Sequence, residues 1–281
     1  MGKHAQGRSG APLVPPVKRG AEDVEIGAIP APRIEQGKCM SYEPTSPENP
    51  YRLTGKQHFH MKAILKRFDG PHGIKVTKKA DGAVSYHEAD DGIFLSRRAW
   101  SQEAESDISH PIETLFDREV KRIESQGMIV KHNAISQYHL LWTLRYGFAK
   151  DPSPEQAIFP SGIGSDLPID LEEWAEAHRK VPIRKGGNIA GRFITSVHLR
   201  QDLSDPRNQK NYEDIYWNLM RSDSTPLISA DCYGDCLLMV ISPKYALIGS
   251  RKPQEMNILT SVEAGLLNDE SVRRAQEFTF G

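Results

Sequence analysis

Four side chains in this sequence have the type and the setting for chemistry: Gln57, His58, Arg145 and Asp231. An imidazole titrates near neutral pH and can act as general acid or base, which makes His58 a candidate catalytic group. Asp231 closes the run Pro226-Leu-Ile-Ser-Ala and precedes Cys232-Tyr-Gly. Carboxylates at strand ends commonly face clefts, so Asp231 is the second candidate catalytic group. Arg145 lies in a segment that is apolar nearly all round. A guanidinium there needs a partner, expected in Asp231 or Glu124, or it can bind a phosphate or carboxylate through two parallel bonds. Arg145 and Gln57 are the candidate substrate-binding pair. Each group also has a plainer role: His58 as a hydrogen-bonded pin between elements, Arg145 as one half of a buried ion pair.

Other constellations carry less. His58 and His60 stand two positions apart, and on a helix their directions diverge by about 200°. They point to no metal, and neither a metal nor a cofactor is assigned. Glu113, Asp117 and Glu124 fall on one helical face, where carboxylates are usually solvated or paired with neighbouring bases. Gly186-Gly187 and Gly162-x-Gly164 lack the spacing and lysine of a phosphate loop. Basic residues cluster from Lys56 to Lys79 and again at Arg184, Lys185, Arg192 and Arg200. Together they could track a phosphate backbone, or they could be surfaces neutralised by the acidic segment Glu88 to Glu119.

The elements that would position these groups follow from periodicity. Met61, Ile64, Leu65 and Phe68 have helical spacing, so Gln57 to Phe68 is expected as an amphipathic helix stopped by Asp69-Gly-Pro. Alternation around Asp81-Gly82 predicts a hairpin, with a third short strand at Gly92 to Ser96. A helix is expected from Pro111 to Gly127, capped by Ser109, and a buried one from Asn133 to Ala149. Asp170-Leu-Glu-Glu has a capping-box pattern opening another. Phe193 to Leu199 has strand character, and Asp202 to Lys210 reads as loop. Strands are expected near Ile215, Pro226, Cys236 and Tyr245. A last helix is capped by Asn268 and leads to a short strand at the end. The fold class is α+β: a single domain of buried helices packed on a mostly antiparallel sheet.

The first 50 of 281 residues carry eight prolines and six glycines. Such a segment buries too little apolar surface to offset its ordering entropy, so residues 1–50 are expected as a disordered Pro/Gly-rich tail preceding the domain at 51–281. Thirty-six basic and 37 acidic side chains give a formal net charge of −1, so global charge selects neither nucleic acid nor membrane. No apolar run is long enough to span a bilayer. Three cysteines cannot all pair, which fits reduced thiols in a cytoplasmic protein.

From Gln57-His58-Phe59 through Leu65 and Phe68, the chain resembles a bacterial family, domain of unknown function 4238. Met61 stands near where that family has proline. The likeness continues through the hairpin, the acidic helix and the apolar helix with Arg145, Pro226 to Asp231, Ile241-Ser-Pro243, and Asn268 to Phe278. It covers about residues 51 to 281 and implies architecture rather than a reaction. The function expected is that of an effector or defence-type enzyme acting on nucleic acid or nucleotide phosphates. The alternative is a non-catalytic protein-binding module that docks a partner through the N-terminal tail.

Overall fold

The stretch expected as one helix from Gln57 to Phe68 is divided. In the computed structural model, which describes residues 43–254 and 256–281, Lys56–His58 is a strand, β1. Only Lys62–Leu65 is α-helical (α1), and a 3₁₀ turn, Lys66–Phe68, follows. The apolar spacing was a helical signal for the second half alone. Gln57 and His58 have partners across a ladder instead, opposite Ser96 and Leu95.

The hairpin forms where alternation and Asp81-Gly82 place it, as β2 (Ile74–Lys78) and β3 (Val84–His87). The next strand, β4 (Leu95–Arg97), does not extend it but pairs antiparallel with β1. Helix α2 (His110–Gln126) ends at Gly127, whose φ of 66° is the left-handed cap that glycine takes at least cost. Ser109 is not its cap. A π-helical turn, Ala104–Ser109, runs straight into α2, so Ser109 is itself helical and makes no capping bond.

Helix α3 (His132–Lys150) is buried on several sides, as its near-continuous apolar sequence requires. After a two-residue strand β5 (Gln156–Ala157) comes α4 (Ile169–Ala177), begun by Pro168 rather than by a capping box at Asp170. Short β6 (Asn188–Ile189) pairs with β5. The segment Phe193 to Leu199, expected as strand, lies inside α5 (Gly191–Ser204). Its β-branched composition misled. Arg192, Phe193, Thr195 and Leu199 are buried at helical intervals, and tertiary burial overrides a weak propensity. The expected loop beyond it holds α6 (Pro206–Lys210), capped by Asp205.

The C-terminal part has the expected strands β7 (Tyr216–Ser222), β8 (Ser229–Ala230), β9 (Leu238–Ser242) and β10 (Tyr245–Ser250), then a strand that was not expected, β11 (Asn257–Leu259), before α7 (Ser261–Arg274) and the closing β12 (Phe278–Phe280). Helix α7 starts earlier than expected, at a capping box between Thr260 and Glu263. Asn268 lies inside it. Its amide bonds Ile228 and Pro226 on the strand side at 2.9 Å each.

The fold is α+β. One sheet has the order β11-β7-β10-β9, antiparallel except for the β11–β7 pair. The other, β3-β2-β12-β8, is wholly antiparallel. Both contribute to a single large core with α1, α2, α3 and α7. Phe280 packs edge-on against Phe68 and Phe94 there. Among the described residues no helix is long and apolar enough to cross a membrane. The tail expectation falls outside the described residues as far as residue 42. Residues 43–50 are described, and Ser46 donates to the buried Glu173 through its backbone N–H (2.7 Å) and its hydroxyl (2.5 Å).

Two core histidines make a stability prediction. Burial pushes His139 down to about 4 and His60 down to about 3. In the unfolded chain both titrate near about 6.5. Below that value the unfolded state binds protons that the folded state refuses, so stability falls as pH drops towards 4. Denaturant melts should lose roughly 1–3 kcal/mol per pH unit between pH 6 and pH 4 from these two groups. A flat profile over that window would contradict their neutral burial.

Candidate functional site

The four expected site residues are all built into the frame. Gln57 is buried on β1. Its amide N–H donates to the Trp100 carbonyl at 2.7 Å, and its oxygen accepts the Trp100 N–H at 3.2 Å. Both ends of the amide are thus held by one backbone residue.

His58 follows on the same strand. Its Nε2 lies 3.0 Å from the Ala89 carbonyl and 3.3 Å from Asp90 Oδ1. A carbonyl can only accept, so Nε2 carries the proton. Asp90 is also paired with Lys62. Burial holds the His58 pKa low, against the opposing pull of the Ala89 carbonyl and Asp90. His58 therefore acts first as a pin on the loop after β3. His60 does not join it. His60 is fully buried, stacks on Trp142 at 4.1 Å, and sets Nδ1 2.6 Å from the Tyr138 hydroxyl.

Arg145 projects from α3 into a buried ion triad. It donates to Glu113 at 2.6 Å and to Glu105 at 2.9 Å, with its guanidinium 4.8 Å from the Trp100 ring centre. The expected partners, Asp231 and Glu124, are not the ones it uses. Glu105 lies on the π-helical turn before α2, a position no periodicity singles out. Burial acts to lower the Arg145 pKa, but Glu105 and Glu113 outweigh it and hold it raised. Burial in turn raises Glu113 despite Arg145. The expected carboxylate face is divided: Glu113 serves Arg145, Glu124 takes Arg67, and Asp117 takes Lys121.

Asp231 does end a strand, but inward. It is fully buried and accepts the Tyr146 hydroxyl at 2.7 Å and the backbone N–H groups of Gln276, Glu277 and Cys232 at 2.8, 2.9 and 3.0 Å. Burial raises its pKa against the pull of these four bonds. It ties β8 to the chain entering β12. Next to it, burial pushes the Cys232 thiol up to about 12, far from the range of a reactive thiolate.

The second basic cluster is divided: Lys185 and Arg200 are exposed and paired with Asp166 and Glu103, while Arg184 and Arg192 turn inward and join Arg98. Arg98, Arg184 and Arg192 interlock with Glu43, Glu172, Glu173 and Glu176, with Arg192 Nε 2.8 Å and Arg98 Nη2 2.7 Å from the same Glu176 oxygen. These guanidiniums are spent on carboxylates and do not face a phosphate.

An open cleft of about 950 Å³ lies elsewhere, between α2, α3, α5 and α6. Ile108, Ile112, Leu140 and Leu203 give it an apolar lining. Asn133 and Gln137, one turn apart on α3, are exposed and line it. Arg200, Lys210 and Glu213 stand around it, and Arg200 is paired with Glu103 at 2.7 Å. Tyr212 forms part of the wall. Its hydroxyl lies 2.8 Å from Nδ1 of His139, whose Nε2 is 3.0 Å from the Cys236 carbonyl. Nε2 must be the protonated nitrogen, so Tyr212 donates to Nδ1. A clue to this cleft was present in the sequence: Asn133 and Gln137 stand at an i,i+4 interval, which puts two amide side chains on one face of the helix. Among the described residues no three His, Cys, Asp or Glu side chains converge as a metal-binding group. Comparison with protein-family models, with curated proteins and with solved structures found no match.

Replacing Arg145 with methionine leaves the part-buried Glu113 without its cation and Glu105 with only the Trp100 indole N–H. Loss of one member of such a group typically costs about 3–5 kcal/mol. Urea denaturation of Arg145→Met should show that loss. Unchanged stability would contradict the structural role and return Arg145 to the substrate-binding set.

Proposed function

We propose that this chain is a cytoplasmic protein that binds nucleotide phosphates, free or at the end of a nucleic acid, in the cleft between α2, α3, α5 and α6. The observation that carries this reading is the cleft's donor set: two exposed amides one helical turn apart, with Lys210 and Arg200 beside an apolar lining. Its volume suits a ligand of nucleotide size, since small-molecule sites span roughly 300–1,000 Å³. Asn and Gln amides can donate to and accept from a base edge together, as they do with adenine. Lys210 is exposed and forms no ion pair among the described residues, so its ammonium is available to a phosphate. Asp107 and Glu213 also line the cleft, Asp107 paired with Arg179, and the reading is one of binding rather than of a defined reaction.

A second reading, docking of a protein partner, has its own observation. Ile258, Val262 and Leu266 on β11 and α7 are 57%, 73% and 64% exposed. Exposed apolar side chains close in sequence are a recurrent feature of docking surfaces.

Isothermal titration with ATP, AMP and a short single-stranded oligonucleotide tests the first reading. Wild type should bind at least one of them, more weakly at higher salt. Gln137→Ala and Lys210→Ala should each weaken binding about tenfold, the equivalent of ~1.4 kcal/mol. Neither side chain is buried, so both variants should melt with wild type. Failure of wild type to bind any of the three at millimolar ligand would remove the reading.

A further inference from the structure

At the free edge of the β3-β2-β12-β8 sheet, three side chains form a hydrogen-bonded relay. Ser85 Oγ lies 2.8 Å from Nε2 of His87, and Nδ1 of His87 lies 3.1 Å from Oδ2 of Asp91. We propose that Ser85, His87 and Asp91 form a nucleophilic site that hydrolyses small carboxylic esters with good leaving groups.

The proton positions follow from the partners. An ionised carboxylate only accepts, so Nδ1 of His87 carries the proton and donates to Asp91. Nε2 then presents its lone pair, and Ser85 must be the donor. That is the tautomer in which an imidazole can take a proton from a serine hydroxyl. The spacing has a simple origin. Ser85 and His87 are two apart on one strand, which puts both side chains on the same face. Asp91 comes back after the turn that follows β3. Its carboxylate also accepts the Glu88 N–H at 3.1 Å, which fixes its direction.

Two further features hold the relay in place. The Ala89 carbonyl in the same loop takes the His58 Nε2–H at 3.0 Å, so His58 positions the segment that carries Asp91. Gly73, with φ of 94°, lets β2 approach His87 closely. A Cβ there would come 2.8 Å from the His87 carbonyl oxygen. His87 is also edge-on to the buried Phe94, with ring centres 6.4 Å apart. Ser85 and His87 are half-buried and Asp91 is partly exposed, so the nucleophile is within reach of solvent. The three residues share none of the side chains that line the α2–α3–α5–α6 cleft.

The chemistry balances without a cofactor. Ser85 Oγ bonds to the ester carbonyl carbon as its proton passes to His87 Nε2, and the carbonyl π pair moves onto oxygen. Collapse breaks the bond to the leaving oxygen, which takes the proton from His87 and departs as the alcohol. Water then adds to the acyl-Ser85 carbonyl and gives a proton to His87. The second collapse returns that proton to Ser85 Oγ and releases the carboxylic acid. No fixed oxyanion donor is invoked. That selects activated esters over amides.

The test uses the full chain, a fluorophosphonate probe and p-nitrophenyl acetate. Wild type should be labelled at Ser85, as mapped by peptide mass spectrometry. Its ester turnover should exceed that of free imidazole at the same concentration. Ser85→Ala should lose the label, and His87→Gln should lower turnover about 100-fold or more, within the usual range for a lost general base. Ser125→Ala, on the exposed end of α2, should behave as wild type. Thermal melts of each variant separate loss of chemistry from loss of fold, and Ser85→Cys offers a second check, since a thiol there should react with iodoacetamide faster when His87 is present. An unlabelled wild type, or a label and turnover that survive in Ser85→Ala, would overturn the proposal.

Discussion

Helix α3 crosses the interior carrying buried and half-buried polar groups, and segments from both halves of the domain supply their partners. Buried polar atoms left unpaired cost about 1–3 kcal/mol each, more if charged, so their partners are held firmly. The Trp217 N–H donates to His132 on one side of the helix, and the Trp217 indole donates to Ser136. Tyr138 meets His60 and the backbone of Met61. His139 takes Tyr212 and Cys236, and Thr143 donates to the Gly234 carbonyl. Arg145 gathers Glu105 and Glu113, and Tyr146 reaches Asp231. Segments from residue 60 to residue 236 are thereby indexed against one helix. A hydrophobic contact alone would not fix them so specifically, because apolar burial is non-directional.

That arrangement has a consequence for function. Residues that look reactive in isolation are consumed by the frame. Arg145 and Asp231 are each surrounded by partners drawn from the chain itself. Arg184 and Arg192 are absorbed by Glu43, Glu172 and Glu176. The flank of α3 proposed for a ligand is the exposed one where Asn133 and Gln137 line the cleft. His58 shows the same economy at the other end of the domain. It is a ligand of its own loop and, through that loop, a neighbour of a second histidine that is less encumbered.

How much of this was legible in the sequence depended on whether the signal was local. Helix α3 could be read because nearly every position in it is apolar. Strands β7, β9 and β10 could be read because their runs are short, β-rich and bounded by turns. The hairpin announced itself through Asp81-Gly82. Helix α5 could not be read, because Phe193, Ile194, Thr195 and Val197 have strand-like chemistry and only burial against other elements makes them helical. The division of Gln57 to Phe68 was hidden for a similar reason. The partner that makes Gln57 and His58 a strand lies some forty residues downstream. Site residues followed the same rule. Arg145 was identified as a buried charge needing a partner, but the identity of that partner, Glu105, is a tertiary fact. Asn133 and Gln137 were not singled out, because Arg145 was the polar residue noted on that helix and nothing local said that α5 and α6 would close a cleft over the amides.

The central functional claim is that ligand chemistry belongs to the open flank of α3 and not to the groups buried around it. Photo-crosslinking measures this most directly. The full chain would be irradiated with an azido-ATP, with and without excess ATP, and adducts mapped to the residue. Adducts competed by ATP should fall on residues 133–140 and 203–213. Adducts confined to the surroundings of His58, Arg145 or Asp231, or adducts that excess ATP does not diminish, would contradict it.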